Sequence, residues 1–174
     1  LSAALYGQGR VQVQRSGPAY VIGSSAKDRV TMSLAPLQRE LGYVDAVWDG
    51  VAKSLSVATR RALGTKFLRI HIFGAAYYRA HAERWLEGDR EEIARASRVI
   101  LAGAPGCDSP LSRADRDLLD GLLNTKVSDT EINRLALARR KFGRLNTLLP
   151  RDLGQTLHRE APLRFMAASA LVRG

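Results

Sequence analysis

The side chains of this chain able to do acid–base, nucleophilic or metal chemistry are few, and their spacing works against it. His71 and His81 lie ten residues apart on what the periodicity reads as one helix. That puts them about 15 Å apart along its axis, too far to share a metal ion. No His-Glu-x-x-His pattern occurs. His81 falls on the apolar stripe of that helix, the setting of a core or interface residue rather than of a base. His158 stands in a basic tail with only Asp152 and Glu160 as nearby carboxylates and reads as part of a solvated face. Cys107 follows Pro105-Gly106 and precedes Asp108, a setting that raises a thiol pKa, and no histidine is close in sequence to activate it. Gly7-Gln8-Gly9 lacks the third glycine and the Lys-Ser/Thr that a phosphate loop needs. Glu83, Glu87, Glu91 and Glu92 surround a turn, where helix capping and i,i+4 partners such as Glu91 with Arg95 account for them. The sequence therefore predicts no catalytic, cofactor-binding or metal site, and a chain that is not an enzyme.

What is abundant is positive charge: 27 Lys+Arg against 17 Asp+Glu, a formal +10. Five of the cations are lysines and 22 are arginines, whose guanidinium suits bidentate contact with carboxylate or phosphate. A GC-rich genome gives the same ratio. Residues 1–82 carry 11 basic and four acidic groups, 83–133 seven and 11, and 134–174 nine and two. The chain is thus basic at both ends and acidic in the middle, which suggests two basic faces or ends that pack on the middle rather than a uniform nucleic-acid coat. The candidate contact residues are Arg10 and Arg15 near the start, Arg60 and Arg61 at one helix end, and Arg139, Arg140, Lys141 and Arg144 at another. At helix ends these charges also complement the helix dipole. Protein interface, RNA backbone and membrane surface compete as their partners.

The elements that must position these residues are mostly helical. Val11 to Gln14 alternates with period two, Ser16-Gly17-Pro18 signals a turn and Tyr20-Val21-Ile22 is a second short apolar run, so residues 1–32 read as an extended arm or short β-hairpin. From 33 to 174 the pattern is that of a helical domain. Ser33 is expected to cap a short helix ended by Gly42 in the left-handed conformation. Residues 44–63 place Val44, Val47, Trp48, Val51, Leu55, Ala58 and Ala62 on one stripe, stopped by Gly64. Thr65 caps a next helix whose stripe is Phe67, Ile70, Phe73, Gly74, Tyr77, His81 and Trp85, ending at Gly88. Asp89 is expected to cap a helix from Arg90 to Gly103 with Ile93, Ala96, Ile100 and Leu101 inward. Residues 113–124 follow with Ala114, Leu118, Leu119 and Leu122 buried, and Ser128 opens a helix carrying Ile132, Leu135, Ala136, Arg139 and Phe142. Pro150 and Pro162 split an apolar, basic tail into short helices.

The predicted pairs, 66–87 with 90–103 and 113–124 with 129–145, make a mainly α fold of antiparallel helical hairpins stacked in one irregular domain. No apolar run is long enough to span a bilayer, the densest stretch, 67–86, being broken by Arg69, Arg79, Glu83 and Arg84. A lone cysteine excludes an intramolecular disulfide and leans towards a reducing compartment. The first 27 residues hold Arg10, Arg15, Lys27 and four serines but no acid, and the chain opens on Leu1, as a processed organelle-targeting segment would leave it; a cloning boundary gives the same start.

The stretch Gly88-Asp-Arg-Glu-Glu-Ile-Ala-Arg-Ala-Ser-Arg-Val-Ile-Leu-Ala-Gly-Ala-Pro-Gly-Cys-Asp108 resembles the second half of a pentatricopeptide- or tetratricopeptide-like repeat, with a short turn, an acidic helix start, small residues and a Gly/Pro exit. Turn glycines at 42, 88 and 143 are spaced 46 and 55 apart, against the roughly 34 of regular repeats, as in a degenerate array. The resemblance implies the helical-hairpin proteins that serve as RNA binders or as accessory subunits of mitochondrial ribosomes and ATP synthases. The expectation is a non-catalytic accessory subunit, on the matrix side of a mitochondrion, that docks other subunits of ATP synthase or another energy-converting assembly and meets a membrane complex only through them. The alternatives are an RNA-binding or mitochondrial ribosomal protein, and a cytoplasmic protein of a GC-rich bacterium.

Overall fold

A computed structural model describes residues 34–164, 166 and 167; the expected arm over 1–32, the Ser33 cap, Arg10 and Arg15 lie outside the described residues. The described chain is mainly helical and contains no strand. Helix α1, Leu37–Leu41, runs almost directly into α2, Tyr43–Ala46. Gly42 between them is not left-handed as expected: its φ is −58°, and a Cβ there would sit 2.8 Å from the Gln38 carbonyl oxygen. From α2 the chain widens into a π turn, Val47–Val51, tightens into a 3-10 turn, Ala52–Ser54, and breaks at Leu55. The single helix expected over 44–63 is therefore two pieces. Ser56 makes the break by accepting a hydrogen bond from the Thr59 amide and capping α3, Val57–Phe67.

Gly64 does not stop α3. It lies inside it, where a Cβ would meet Cys107 Cβ at 2.8 Å and Ala104 Cβ at 2.9 Å. The glycine lets two backbones approach closely. Thr65 is no cap either: its hydroxyl serves the Arg61 carbonyl and, at 2.6 Å, the Cys107 carbonyl. Arg61, Thr65 and Arg69 stand four residues apart on one face. They donate in turn to the carbonyls of Pro105, Cys107 and Pro110. The helix and the turn after it thereby strap down the loop 104–112.

A second π turn, Leu68–Ile72, joins α3 to α4, Phe73–His81. Inward-facing residues here are Leu68, Ile72, Phe73, Ala75, Ala76, Arg79 and Ala80, whereas Ile70 and His81 of the expected stripe are exposed. Of the expected stripe only Phe67 and Phe73 are buried, because the π turn Leu68–Ile72 shifts the phase of the helix that follows and turns Ala75, Ala76, Arg79 and Ala80 inward. The helix also ends at His81 rather than Gly88. Helix α5, Asp89–Gly103, buries Ile93, Ala96 and Ile100; α6, Arg113–Leu123, buries Ala114, Leu118, Leu119 and Leu122; α7, Asp129–Ala138, buries Ile132 and Ala136. Ser112 and Ser128 cap α6 and α7 through the Asp115 and Glu131 amides. One-turn α8, Leu145–Leu148, begins the tail.

Asp89 does not cap its own helix. Gly88 holds the N-cap position at φ +78°, and Asp89, wholly buried, points away. Its carboxylate accepts from the Leu37 and Leu86 amides and from Arg79 Nε, each at 3.0 Å. Arg79 is 1% exposed, and its other nitrogens reach both Glu40 oxygens and the Ala35 carbonyl. Every donor group of the guanidinium is thus matched by an acceptor from α1, the segment before it, or the start of α5. Removing one partner of such a buried pair costs about 3–5 kcal/mol, because the other charge stays buried without compensation.

Two results should follow. Arg79→Ala is expected to lower the unfolding free energy from urea titration by about 3–5 kcal/mol, while Asp49→Ala, which removes an exposed pair with Lys53, should stay within about 0.5 kcal/mol. The same substitution should also have opposite signs at two helical glycines. Gly64→Ala is expected to destabilise by about 1–3 kcal/mol through the collision with Cys107; Gly74→Ala, with nothing within 4 Å of its Cβ, should stabilise by up to about 1 kcal/mol.

Candidate functional site

The predicted cationic clusters have separate fates. Arg60 and Arg61 lie on the first turns of α3, not at a helix C-terminus, and Arg61 Nε is committed to the Pro105 carbonyl at 2.9 Å. Arg139 is drawn into the fold: its Nε donates to Asp115 at 2.7 Å and its guanidinium lies 4.7 Å over the Phe73 ring. Asp115 is buried, and Arg69 approaches its other oxygen at 3.9 Å. Burial pushes the Arg69 guanidinium below its ordinary pKa, against the pull of Asp115. Arg139 therefore serves the core.

Arg140, Lys141 and Arg144 stay together on the surface, in the turn between α7 and α8 that Gly143 permits at φ +89°. Arg140 sits between two rings, 4.7 Å from Tyr77 and 5.6 Å from Phe142. No hydrogen bond, ion pair or cation–π contact among the described residues joins this cluster to Arg60 and Arg61.

Beside the surface cluster lies the feature that the sequence placed least well. Phe142, expected inward on α7, is 68% exposed because the helix stops at Ala138. Leu145, Leu153 and Leu157 are 73%, 60% and 76% exposed. These four are the most exposed large apolar side chains among the described residues, and all fall within 142–157. The segment is not loose chain. Arg113 N–H donates to the Leu149 carbonyl at 2.9 Å, and Ser112 bridges to Pro150. Arg151 is spread between Asp117 at 2.8 Å and Asp120 at 2.7 Å on α6. Polar contacts hold the backbone on α6 while the leucines face outward.

The remaining candidates lie as follows. Cys107 is fully buried, and burial pushes its thiol up to about 12. His71 is half-buried against Phe67 and Tyr43, and burial, with Lys66 second, lowers its pKa. His81 stacks on Tyr77, and His158 Nδ1 accepts from the Glu160 amide. Arg95 pairs with Glu92 and Asp45 rather than with Glu91. No group of three or more His, Cys, Asp or Glu among the described residues is placed to hold a metal ion.

A thiol whose folded pKa lies above its unfolded value contributes stability that is complete below about pH 9 and lost between about 9 and 12, as the unfolded thiolate forms first. Cys107→Ala should flatten that part of the pH–stability curve. At pH 8 the wild-type thiol is expected to react with an aromatic disulfide only as fast as the chain unfolds, so urea should accelerate labelling in step with lost ellipticity. Rapid labelling of the folded chain would contradict this burial.

Compared with known protein families, with curated proteins and with solved structures, the chain matches none.

Proposed function

We propose that the chain is a non-catalytic accessory subunit of a larger assembly, docking through the surface formed by residues 140–157. The observation that carries this reading is the exposure of Phe142, Leu145, Leu153 and Leu157 on a backbone pinned to α6. A protein gains nothing in water by fixing its leucines outward; a partner that covers them gains about 25 cal/mol for each Å² of apolar surface removed from water. Arg140, Lys141 and Arg144 border the same stretch, which favours a partner with an acidic rim. In this reading the helices stack as antiparallel hairpins that display the tail. The mitochondrial energy-converting setting is part of the proposal and rests on the Arg- and Ser-bearing, acid-free first 27 residues and on the repeat-like stretch 88–108.

A second reading draws on one specific contact. Phe142 is an exposed ring with Arg140 over it and Lys141 and Arg144 nearby, a combination that can stack a base and neutralise its phosphate. It suits RNA better than Arg60 and Arg61 do, since Arg61 already holds a carbonyl.

The test is Leu145→Asp/Leu153→Asp/Leu157→Asp, read by thermal melting and by native electrophoresis of extracts from the source cells. The three positions are exposed, so the midpoint should change by no more than a few degrees. The wild-type chain should migrate with stoichiometric protein partners and the variant alone. A wild-type chain that runs free sinks the docking proposal. Binding to RNA that weakens steeply with salt and survives the triple substitution, but not Phe142→Ala, would favour the second reading.

A further inference from the structure

A cavity of about 620 Å³ opens between the π turn Val47–Val51, the start of α3 and the C-terminal end of α5. It lies apart from the tail surface, and the docking proposal does not use it. Its apolar wall comes from Trp48, Ala52, Val57, Val99 and Ala102. Such a volume falls in the range of small-molecule sites, roughly 300–1,000 Å³.

Three cations and one carboxylate border this wall. Lys53 is neutralised by Asp49 at 3.3 Å. Arg60, half-buried, meets no carboxylate among the described residues. Arg61 is oriented by its Nε contact with Pro105, which leaves its two terminal nitrogens without a partner among the described residues. The α5 C-terminus contributes a partial negative charge, equivalent to about half an elementary charge, and two guanidiniums outweigh it. The mouth of the cavity is therefore positive.

Trp48 gives the wall its aromatic surface, and its side chain is 5% exposed. Trp48 is held in place on other sides: a Cβ on Gly103 would meet its ring at 2.9 Å, and Phe67 packs edge-on at 6.0 Å. It also sits in a π turn, a departure from the α-helix that recurs at functional sites.

We infer that this cavity binds a small organic carboxylate with an apolar body, the body against Trp48, Val99 and Ala102 and the carboxylate between Arg60 and Arg61. A carboxylate fits the planar guanidinium fork. It brings less charge to be desolvated beside an apolar wall than a phosphate dianion does.

The probe is decanoate at submicellar concentration, titrated into the full chain and followed by the two indole N–H resonances. Trp85 is the internal reference, since its Nε1 is engaged by Asn133 at 2.8 Å. Decanoate should shift the Trp48 resonance and leave that of Trp85 in place; 1-decanol, with the same chain and no charge, should bind at least about tenfold more weakly. Arg60→Gln should cost about tenfold or more, the loss of a charged hydrogen bond. Ala102→Trp, at an exposed position on the cavity wall, should abolish the shift with far-UV ellipticity unchanged. Equal binding of the alcohol and the acid, a response confined to amides of 142–157, or no Trp48 shift at all would overturn the assignment.

Discussion

An arginine buried to 1% exposure must find an acceptor for each of its donor groups, and meeting that demand organises the N-terminal half of the described fold. Arg79 stands on α4, Glu40 on α1, Asp89 at the first turn of α5, and the Ala35 carbonyl just before α1. Their single solution fixes how three helices meet. Asp89 extends it by taking the first free amide of α1, that of Leu37, which would otherwise be orphaned in the interior. Near the other end of the same helical run the arrangement is inverted. Asp115 is one carboxylate between two arginines, Arg69 and Arg139, where Arg79 is one arginine between two carboxylates. Among the described residues the two centres balance each other, and the excess positive charge lies at the surface.

That division explains why counting arginines along the sequence was a weak guide to contact residues. Arg139 and Arg140 are neighbours with the same side chain, yet one is locked against Asp115 and Phe73 while the other lies over Tyr77 and an exposed Phe142. They are consecutive residues just past the end of α7 at Ala138, and their side chains point to different sides. Arg61 Nε and Arg69 are similarly engaged by loop carbonyls. Of the basic positions named from sequence and described in the structure, Arg60, Arg140, Lys141, Arg144 and the two terminal nitrogens of Arg61 keep side-chain donors available for a partner.

Helix identity was legible where local chemistry sets it. Ser112 and Ser128 cap α6 and α7, and the leucines of α6 fall inward at the period of a helix. What the sequence hid were features decided by distant atoms. Gly64 looks like a stop signal and is instead a contact with Cys107, 43 positions away; Asp89 looks like a cap and is instead a receptor for Leu37 and Arg79. The π turns at Val47–Val51 and Leu68–Ile72 have no local signature, and a regular helical wheel drawn through them loses phase. The cavity beside Trp48 depends on the first of them, and so lay beyond a reading by periodicity.

The three donors that α3 and the π turn present to the 105–110 carbonyls tie together pieces of chain more than 40 residues apart. A loop held at three successive points has no independent opening motion: to free one carbonyl it must separate from the helix or wait for the helix to unravel. The Cys107 amide, bonded to the Ala104 carbonyl in the buried centre of the loop, should therefore exchange only when the loop parts from the helix. The apparent connector between α5 and α6 is, in dynamic terms, part of α3.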